Sequence, residues 1–487
     1  MALDAGTTGV RSVAFSLAAD VVASAYRELP QHFPRPGEVE HDPTDIAALA
    51  VATLREVARH LREEGHQVLA LGITNQRETT VAFDRATGAH RHRAIVWQDR
   101  RTAPLCDALA ARGALDEVRA TTGLVLDPYF SGTKMRWLQD AGALQDAARP
   151  ALCTVDTYLL WTLTGGVDGG AYVTEASNAS RTMLLDLTTL DWSPAMCQLL
   201  GVPVHALAEV RPSASHFGVV ARDVVPELAG VPITGVLGDQ QAALFGQACF
   251  RPGMIKATYG TGSFLLAHAG PVPPAPRAGL LSTVAWDLGA FGPTGYAYEG
   301  SAFVAGAAIQ WLRDELGLIS SSEEIGPLAA SVPDSGGVLF VPAFTGLGSP
   351  WWRSDARGVL MGLSRGSTRA QIARAVVESL AYQVRAMTDA FVDGGLVLAE
   401  LRADGGAAAM DLLLQLQATL SRLSVRRSAS LEATARGAAT VAGLSVGAYR
   451  DLDEVAALWA STRDFVPEEP LFADLGYDAW LRAVSHA

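Results

Sequence analysis

Two short turns rich in glycine and threonine carry the first chemical signal in this 487-residue sequence: Asp4-Ala5-Gly6-Thr7-Thr8-Gly9, and Tyr259-Gly260-Thr261-Gly262-Ser263. Glycine admits positive φ and lets backbone N–H groups come close to a phosphate, and threonine hydroxyls add neutral donors to the same oxygens. Two such turns could hold the phosphates of one nucleotide from both sides. Asp4 adds a carboxylate at a strand end, where a Mg²⁺ ion that keeps most of its water ligands would bridge phosphates. A third glycine turn, Asp404-Gly405-Gly406, follows the β-like residues 401–403 and precedes a helix predicted to start near Ala407. Such a junction lays backbone against a purine or an α-phosphate. Between these turns, Gly238-Asp239-Gln240 closes the β-like run 231–236 and opens a helix over 240–247. That places Asp239 at a strand's carboxyl end, where open α/β sheets collect ligands. Any one of these turns alone reads as an ordinary hairpin or helix start; their order along the chain is the stronger signal.

The elements that must position these residues alternate in type. β-like runs at 11–15 and 68–74 flank an amphipathic helix over 45–63, and a strand at 94–97 follows the turn Ala86-Thr87-Gly88, an alternation that predicts an α/β fold. After Arg251-Pro252-Gly253 a second set begins, with strands at 254–258 and 264–267, a helix over 303–315, a strand at 338–341 and a long helix over 368–391. The proline-rich residues 272–276 lie inside this half and read as a surface loop. A boundary near residue 248 gives two domains, 1–247 and 248–487, each of a size that one hydrophobic core can organise. The likeness of the two Gly/Thr turns, each opening a half, predicts a duplicated domain facing its copy across a cleft.

Composition narrows the partners. Hydrophobic residues make up 49% and charged residues 18% of the chain, the balance of a compact globular protein. A net charge of −13 argues against nonspecific affinity for nucleic acid or anionic membrane, so a small-molecule partner is expected. No apolar stretch approaches the roughly 20 residues of a bilayer span, and Met1-Ala2-Leu3-Asp4 is no basic-then-apolar leader; a cytoplasmic location is expected. Cys106, Cys153, Cys197 and Cys249 form no CxxC pair and are expected to be buried thiols in a reducing compartment. Only two of the 38 basic residues are lysines, Lys134 and Lys256, and neither lies in a GxxxxGK[ST] loop, which excludes a P-loop.

Longer segments carry a resemblance: GITNQRETT (72–80), AIVWQDRRT (94–102), TGLVLDPYFSGTK (122–134), NASRTML (178–184), GDQQAALFGQ (238–247), YGTGSF (259–264) and FVPAFTGLGSPWW (340–352). Over nearly its whole length the sequence resembles the FGGY carbohydrate kinases of the actin-like ATPase superfamily, and among them the members that phosphorylate glycerol. The resemblance implies two ribonuclease H-like domains facing a central cleft. It also implies ATP and Mg²⁺ as cofactors, transfer of a phosphoryl group to glycerol to give sn-glycerol 3-phosphate, and a homo-oligomer, dimer or tetramer.

Matched position by position, the resemblance places the polyol on Arg77, Glu78, Trp97, Tyr129, Asp239 and Gln240. The chemistry of these side chains agrees: Arg77 only donates, Glu78 and Asp239 accept, and Trp97 offers an apolar wall to the carbon chain of a triol. Asp239 is implied as the general base, and Asp4 with Asp239 as the metal ligands. The nucleotide is placed on Thr7, Thr8, Gly9, Arg11, Thr261, Gly306, Gln310, Gly406 and Met410. The loose transition state of phosphoryl transfer asks chiefly for in-line positioning and charge neutralisation, with water excluded by closure of the two domains.

Several positions depart from the family pattern. Gly9 stands where serine is common, Ala5 where glutamine is frequent, and Met410 where an asparagine usually sits beside the adenine, so weaker base recognition and some use of GTP are expected. Some members bind fructose 1,6-bisphosphate through a glycine- and arginine-containing loop ahead of the strand leading to Asp239. Residues 221–228 here are acidic and lack a glycine cluster, and insensitivity to that ligand is expected. Only three residues precede Asp4, and an upstream apolar extension is expected to lengthen the central strand and raise stability. The rival readings are a kinase for another short polyol or a ketose, and a nucleotide-binding regulatory protein with reduced turnover; the intact Asp4, Asp239 and Thr261 speak against the second.

Overall fold

The computed structural model describes residues 1–469 and 473–487. Two large sheets organise it. The first contains β1 (Ala2–Ala5), β2 (Gly9–Phe15), β3 (Val21–Glu28), β4 (Leu71–Asn75), β5 (Ala214–Val219) and β6 (Pro232–Gly238), in the spatial order β5-β6-β4-β1-β2-β3. The second contains β7 (Met254–Tyr259), β8 (Ser263–Gly270), β9 (Leu281–Trp286), β10 (Gly295–Ala302), β11 (Glu400–Asp404), β12 (Ser424–Ser428) and β13 (Ser461–Phe465), in the order β9-β10-β8-β7-β11-β12-β13.

The duplication inferred from two turns is visible in these orders. In the first sheet β1 is antiparallel to β2 and parallel to β4, β3 pairs antiparallel with β2, and β6 runs parallel to β4. The second repeats the pattern: β7 is antiparallel to β8 and parallel to β11, β10 pairs antiparallel with β8, and β12 runs parallel to β11. Each half is therefore a ribonuclease H-like sheet, and the two Gly/Thr turns are its equivalent first hairpins. The predicted α/β fold with two such domains is the fold observed. β4 and β6 are buried nearly throughout because both of their faces are covered, as is usual for parallel strands.

Helices cover the sheets by amphipathic burial. α1 (Pro43–Glu63) starts at the Asp42 cap, whose carboxylate accepts from Thr44 N at 2.8 Å, and buries Ile46, Ala50, Leu54, Val57 and Leu61 along one stripe. Further elements are α2 (Asp239–Gly246), α3 (Gly306–Asp314), α4 (Ile325–Ala330), α5 (Arg369–Asp393), α6 (Asp411–Ser421) and α7 (Ala433–Ser445). α5 opens with a reciprocal capping box between Thr368 and Gln371.

α7 leaves the second half and packs on the first sheet and on α2. A Cβ at Gly437 would lie 1.9 Å from the carbonyl of Ala242, and one at Gly246 1.9 Å from that of Ala433, so glycine is required where the two helices touch backbone to backbone. Separate cores, around Leu3, Ile73 and Val236 in the first half and around Ile255, Val377 and Leu401 in the second, flank this junction.

Three sequence expectations shift. The predicted strand 94–97 shrinks to Ala94–Ile95, part of a small four-stranded sheet with Glu40–His41, Thr80–Asp84 and Pro150–Thr154. The helix expected from residue 303 begins at Gly306, because Ala305 N and Gly306 N instead donate to the carbonyls of Thr261 (2.8 Å) and Gly260 (2.9 Å). The helix expected near Ala407 begins at Asp411, after a single 3₁₀ turn over Gly406–Ala409. All four cysteines are free and buried, and among the described residues no helix is long and apolar enough to cross a membrane.

Candidate active site

The chemistry gathers at the carboxyl ends of β1, β4 and β6. Asp4 on β1 lies opposite Arg11 of β2 and Thr74 of β4, and Asp239 is the first residue of α2 directly after β6. Burial, together with the neighbouring carboxylates of Asp239 and Glu432, raises the Asp4 pKa to about 7 against the opposing pull of Arg11. Burial also raises that of Asp239, opposed by Arg77. Two adjacent carboxylates pushed upward in this way make a site that favours a cation. Among the described residues no group of three or more His, Cys, Asp or Glu side chains is placed to hold a metal ion.

The first hairpin is closed by Gly6 N donating to Gly9 O at 3.0 Å and is tied to its surroundings by Gln76, whose amide donates to the carbonyl of Gly6 at 3.2 Å. Thr7 Oγ1 accepts from the Trp97 indole N–H at 2.8 Å, and the Thr8 carbonyl accepts from Leu29 N at 2.9 Å. A Cβ on Gly9 would fall 2.3 Å from the ring of Tyr26, so the serine common at this position has no room unless that ring moves. Arg11 pairs with Glu432, which immediately precedes α7, and its guanidinium lies 5.4 Å from the Tyr26 ring centroid.

Arg77, Glu78, Tyr129 and Asp239 come together although they derive from three separate segments of the chain. Arg77 Nε lies 3.2 Å from Asp239 Oδ1, and Nη2 donates to the Tyr129 hydroxyl at 3.0 Å. Trp97 packs edge-on to Tyr129, with ring centroids 5.5 Å apart. Lys256 donates to the Gln240 side-chain oxygen.

Two residues that the sequence reading did not assign complete the group. Glu299, on β10 of the second half, receives Arg77 Nη1 at 2.5 Å and Nη2 at 2.9 Å. Arg181 joins Glu78 (2.8 Å) to Glu299 (3.0 Å). All four charged side chains are essentially solvent-free and alternate in sign, which is what keeps buried charges tolerable. Arg181 lies inside the quoted segment 178–184, where a signal was present; Glu299 has no local motif to announce it.

On the second half, a cavity of about 650 Å³ is lined by Thr261, Gly306, Gln310, Gly406 and Met410, five of the expected nucleotide positions. Gly306 is required there, since a Cβ would sit 2.7 Å from the carbonyl of Gly260. Glu323, Gly326 and Pro327, around the start of α4, also line the cavity and carry no signal in the sequence reading. The nine expected nucleotide positions thus divide: Thr7, Thr8, Gly9 and Arg11 form the first hairpin and its flank, and the other five line the cavity.

The model for the FGGY family of carbohydrate kinases, N-terminal domain, matches residues 1–246, and that for its C-terminal domain matches residues 255–446. The chain belongs to the FGGY family of carbohydrate kinases. Among curated relatives of this FGGY kinase, glycerol kinase of Albidiferax ferrireducens is 51% identical over 96% of this chain and 95% of its own length. Glycerol kinase of Acidovorax ebreus is 50% identical over 100% of this chain and 98% of its own. Among solved structures, Plasmodium falciparum glycerol kinase with ADP superposes with a TM-score of 0.93 at 32% identity, covering 99% of this chain and 97% of that one. Gluconate kinase of Lactobacillus acidophilus, at 19% identity and a TM-score of 0.89, shares the fold.

Proposed function

We propose that this FGGY kinase transfers the terminal phosphoryl group of ATP to glycerol, giving sn-glycerol 3-phosphate. The observation that carries the reading is the convergence of Arg77, Glu78, Tyr129 and Asp239 beside Asp4 at adjacent strand ends, joined to relatives about half identical over nearly their full length and named for glycerol. Arg77 with Glu78 and Asp239 would orient the triol by complementary donors and acceptors, and the Trp97 face would cover its carbon chain. Asp239 would take the proton of the attacking hydroxyl; its upward-shifted pKa makes it a better base than an ordinary exposed aspartate. Asp4 and Asp239 would hold a magnesium ion, which when bound neutralises charge on the phosphates.

The first hairpin and Arg11 would hold the transferring end of the nucleotide, and the cavity beside Gly306, Gly406 and Met410 its adenosine end. Arg11 must exchange Glu432 for phosphate to do so. A cytoplasmic homo-oligomer is the accompanying expectation, checked by light scattering. Coupled ADP release measured over glycerol, dihydroxyacetone, erythritol and xylulose tests the substrate. Glycerol should give the highest kcat/KM, and a preference for xylulose or erythritol would contradict the reading.

A further inference from the structure

The chain uses arginine almost exclusively for positive charge, yet both of its lysines are fully buried, and each holds a residue of the proposed polyol site. Lys134 Nζ donates to the carbonyls of Tyr129 (2.5 Å) and Phe130 (3.1 Å), fixing the backbone that carries the Tyr129 ring. Lys256, on β7 of the second half, donates to Gln240 Oε1 and, at 3.4 Å, to the carbonyl of Phe264.

An ammonium group has donors only, so a carboxamide facing it must present its oxygen. The Gln240 amide nitrogen is thereby turned the other way, and it has no hydrogen-bond partner among the described residues although the residue is half-exposed. Beside it, Asp239 offers an acceptor. One donor next to one acceptor matches neighbouring hydroxyl groups of a polyol, each of which both gives and takes a hydrogen bond.

The geometry points to Lys256 as a positioning residue for substrate recognition, locking the Gln240 carboxamide with its N–H toward the polyol. This rests on the proposed polyol site. A compact ammonium on a slim stem suits a position walled by β-strands, where a planar guanidinium would demand more partners. Burial disfavours the charge and lowers its pKa to about 8, while the fields of Asp404, Asp239 and Glu299 retain the proton near neutral pH.

Glycerol turnover by the wild type tests the polyol reading by itself, and a wild type inactive on glycerol overturns that reading and this inference with it. Given that turnover, Lys256→Met is expected to raise the glycerol KM about tenfold and leave the ATP KM within about twofold. Lys256→Gln, whose uncharged amide can donate the same bond, is expected to recover most of the loss. In a Gln240→Ala background Lys256→Met should add less than about twofold, because the group it acts through is gone.

An unchanged glycerol KM in Lys256→Met, a Lys256→Gln variant equally impaired, or the full penalty repeated in Gln240→Ala would overturn the inference while leaving the polyol site standing. Should Lys256→Met not fold, Gln240→Glu decides. It keeps a partner for the ammonium but removes the N–H, so the glycerol KM should rise about tenfold; an unchanged value would overturn the inference.

Discussion

Arg77 of the first half and Glu299 of the second are joined by two hydrogen bonds, of 2.5 and 2.9 Å, with both side chains shut away from solvent. A residue of the proposed polyol site is thus held in place by the opposite half of the molecule. Glu299→Gln leaves Arg77 and Arg181 facing a neutral partner, and its cost to stability should be on the order of 3 kcal/mol, as for other broken buried pairs. Chemical denaturation at neutral pH checks this.

The same carboxylate sets a pH dependence with a definite sign. Burial alone would raise its pKa, but Arg181 and Arg77 pull it down from 4.5 to about 2. A carboxyl held below its unfolded value stabilises the fold above the unfolded pKa and loses that contribution as pH falls through the folded one. The stability gap between wild type and Glu299→Gln should therefore be full at about pH 6 and narrow between about 4.5 and 2. Urea midpoints of both proteins at about pH 6 and about pH 3 measure it, and a constant gap would contradict the pairing.

Met410 is now seen as the cap residue of α6 as well as a wall of the nucleotide cavity. Its backbone is extended (φ −78°, ψ 110°), and its side chain leaves the first amides of the helix without a side-chain acceptor. Asparagine is among the best residues for that position, worth about 1 kcal/mol over an apolar side chain. Met410→Asn should raise the melting temperature by a few degrees and tighten ATP relative to GTP by about three- to tenfold. A thermal gain with an unchanged ATP-to-GTP ratio would assign the position to helix capping alone.

Most of the fold was legible because each half repeats a simple code: an apolar strand, a Gly/Thr turn, a second strand. Thr261 and Gly406 were reached from local glycine turns, Gly306 only through the family resemblance, and the three share one cavity. What escaped was information held in pairs. Glu299 and Arg77 are 222 positions apart, and neither side chain announces the other. Lys256 was visible as a rarity, but its partner Gln240 lies on another element, so its use could not be read. The start of α6 was missed because the glycine turn leads first into a 3₁₀ turn over Gly406–Ala409, after Gly405, whose positive φ of 89° and close approach to the Tyr259 backbone leave no room for a Cβ.

Insensitivity to fructose 1,6-bisphosphate follows from how the 221–228 segment is used. Glu227 accepts from Arg55 at 3.1 Å and Arg59 at 2.8 Å, so a carboxylate already occupies the basic groups that a phosphate would seek. Turnover should change by less than about twofold at millimolar sugar bisphosphate, since displacing this paired acid opposes binding of another anion. Inhibition at micromolar concentration would contradict this.

The general-base role of Asp239 is the central claim. Asp239→Asn keeps the shape of the side chain and, through its oxygen, an acceptor toward Arg77, but it cannot take a proton. The decisive measurement is glycerol-dependent ADP release by this variant at saturating ATP, with nucleotide binding followed in parallel. The account predicts a fall in kcat of about 10² to 10⁴ with ATP affinity nearly unchanged, whereas turnover close to that of the wild type would contradict it.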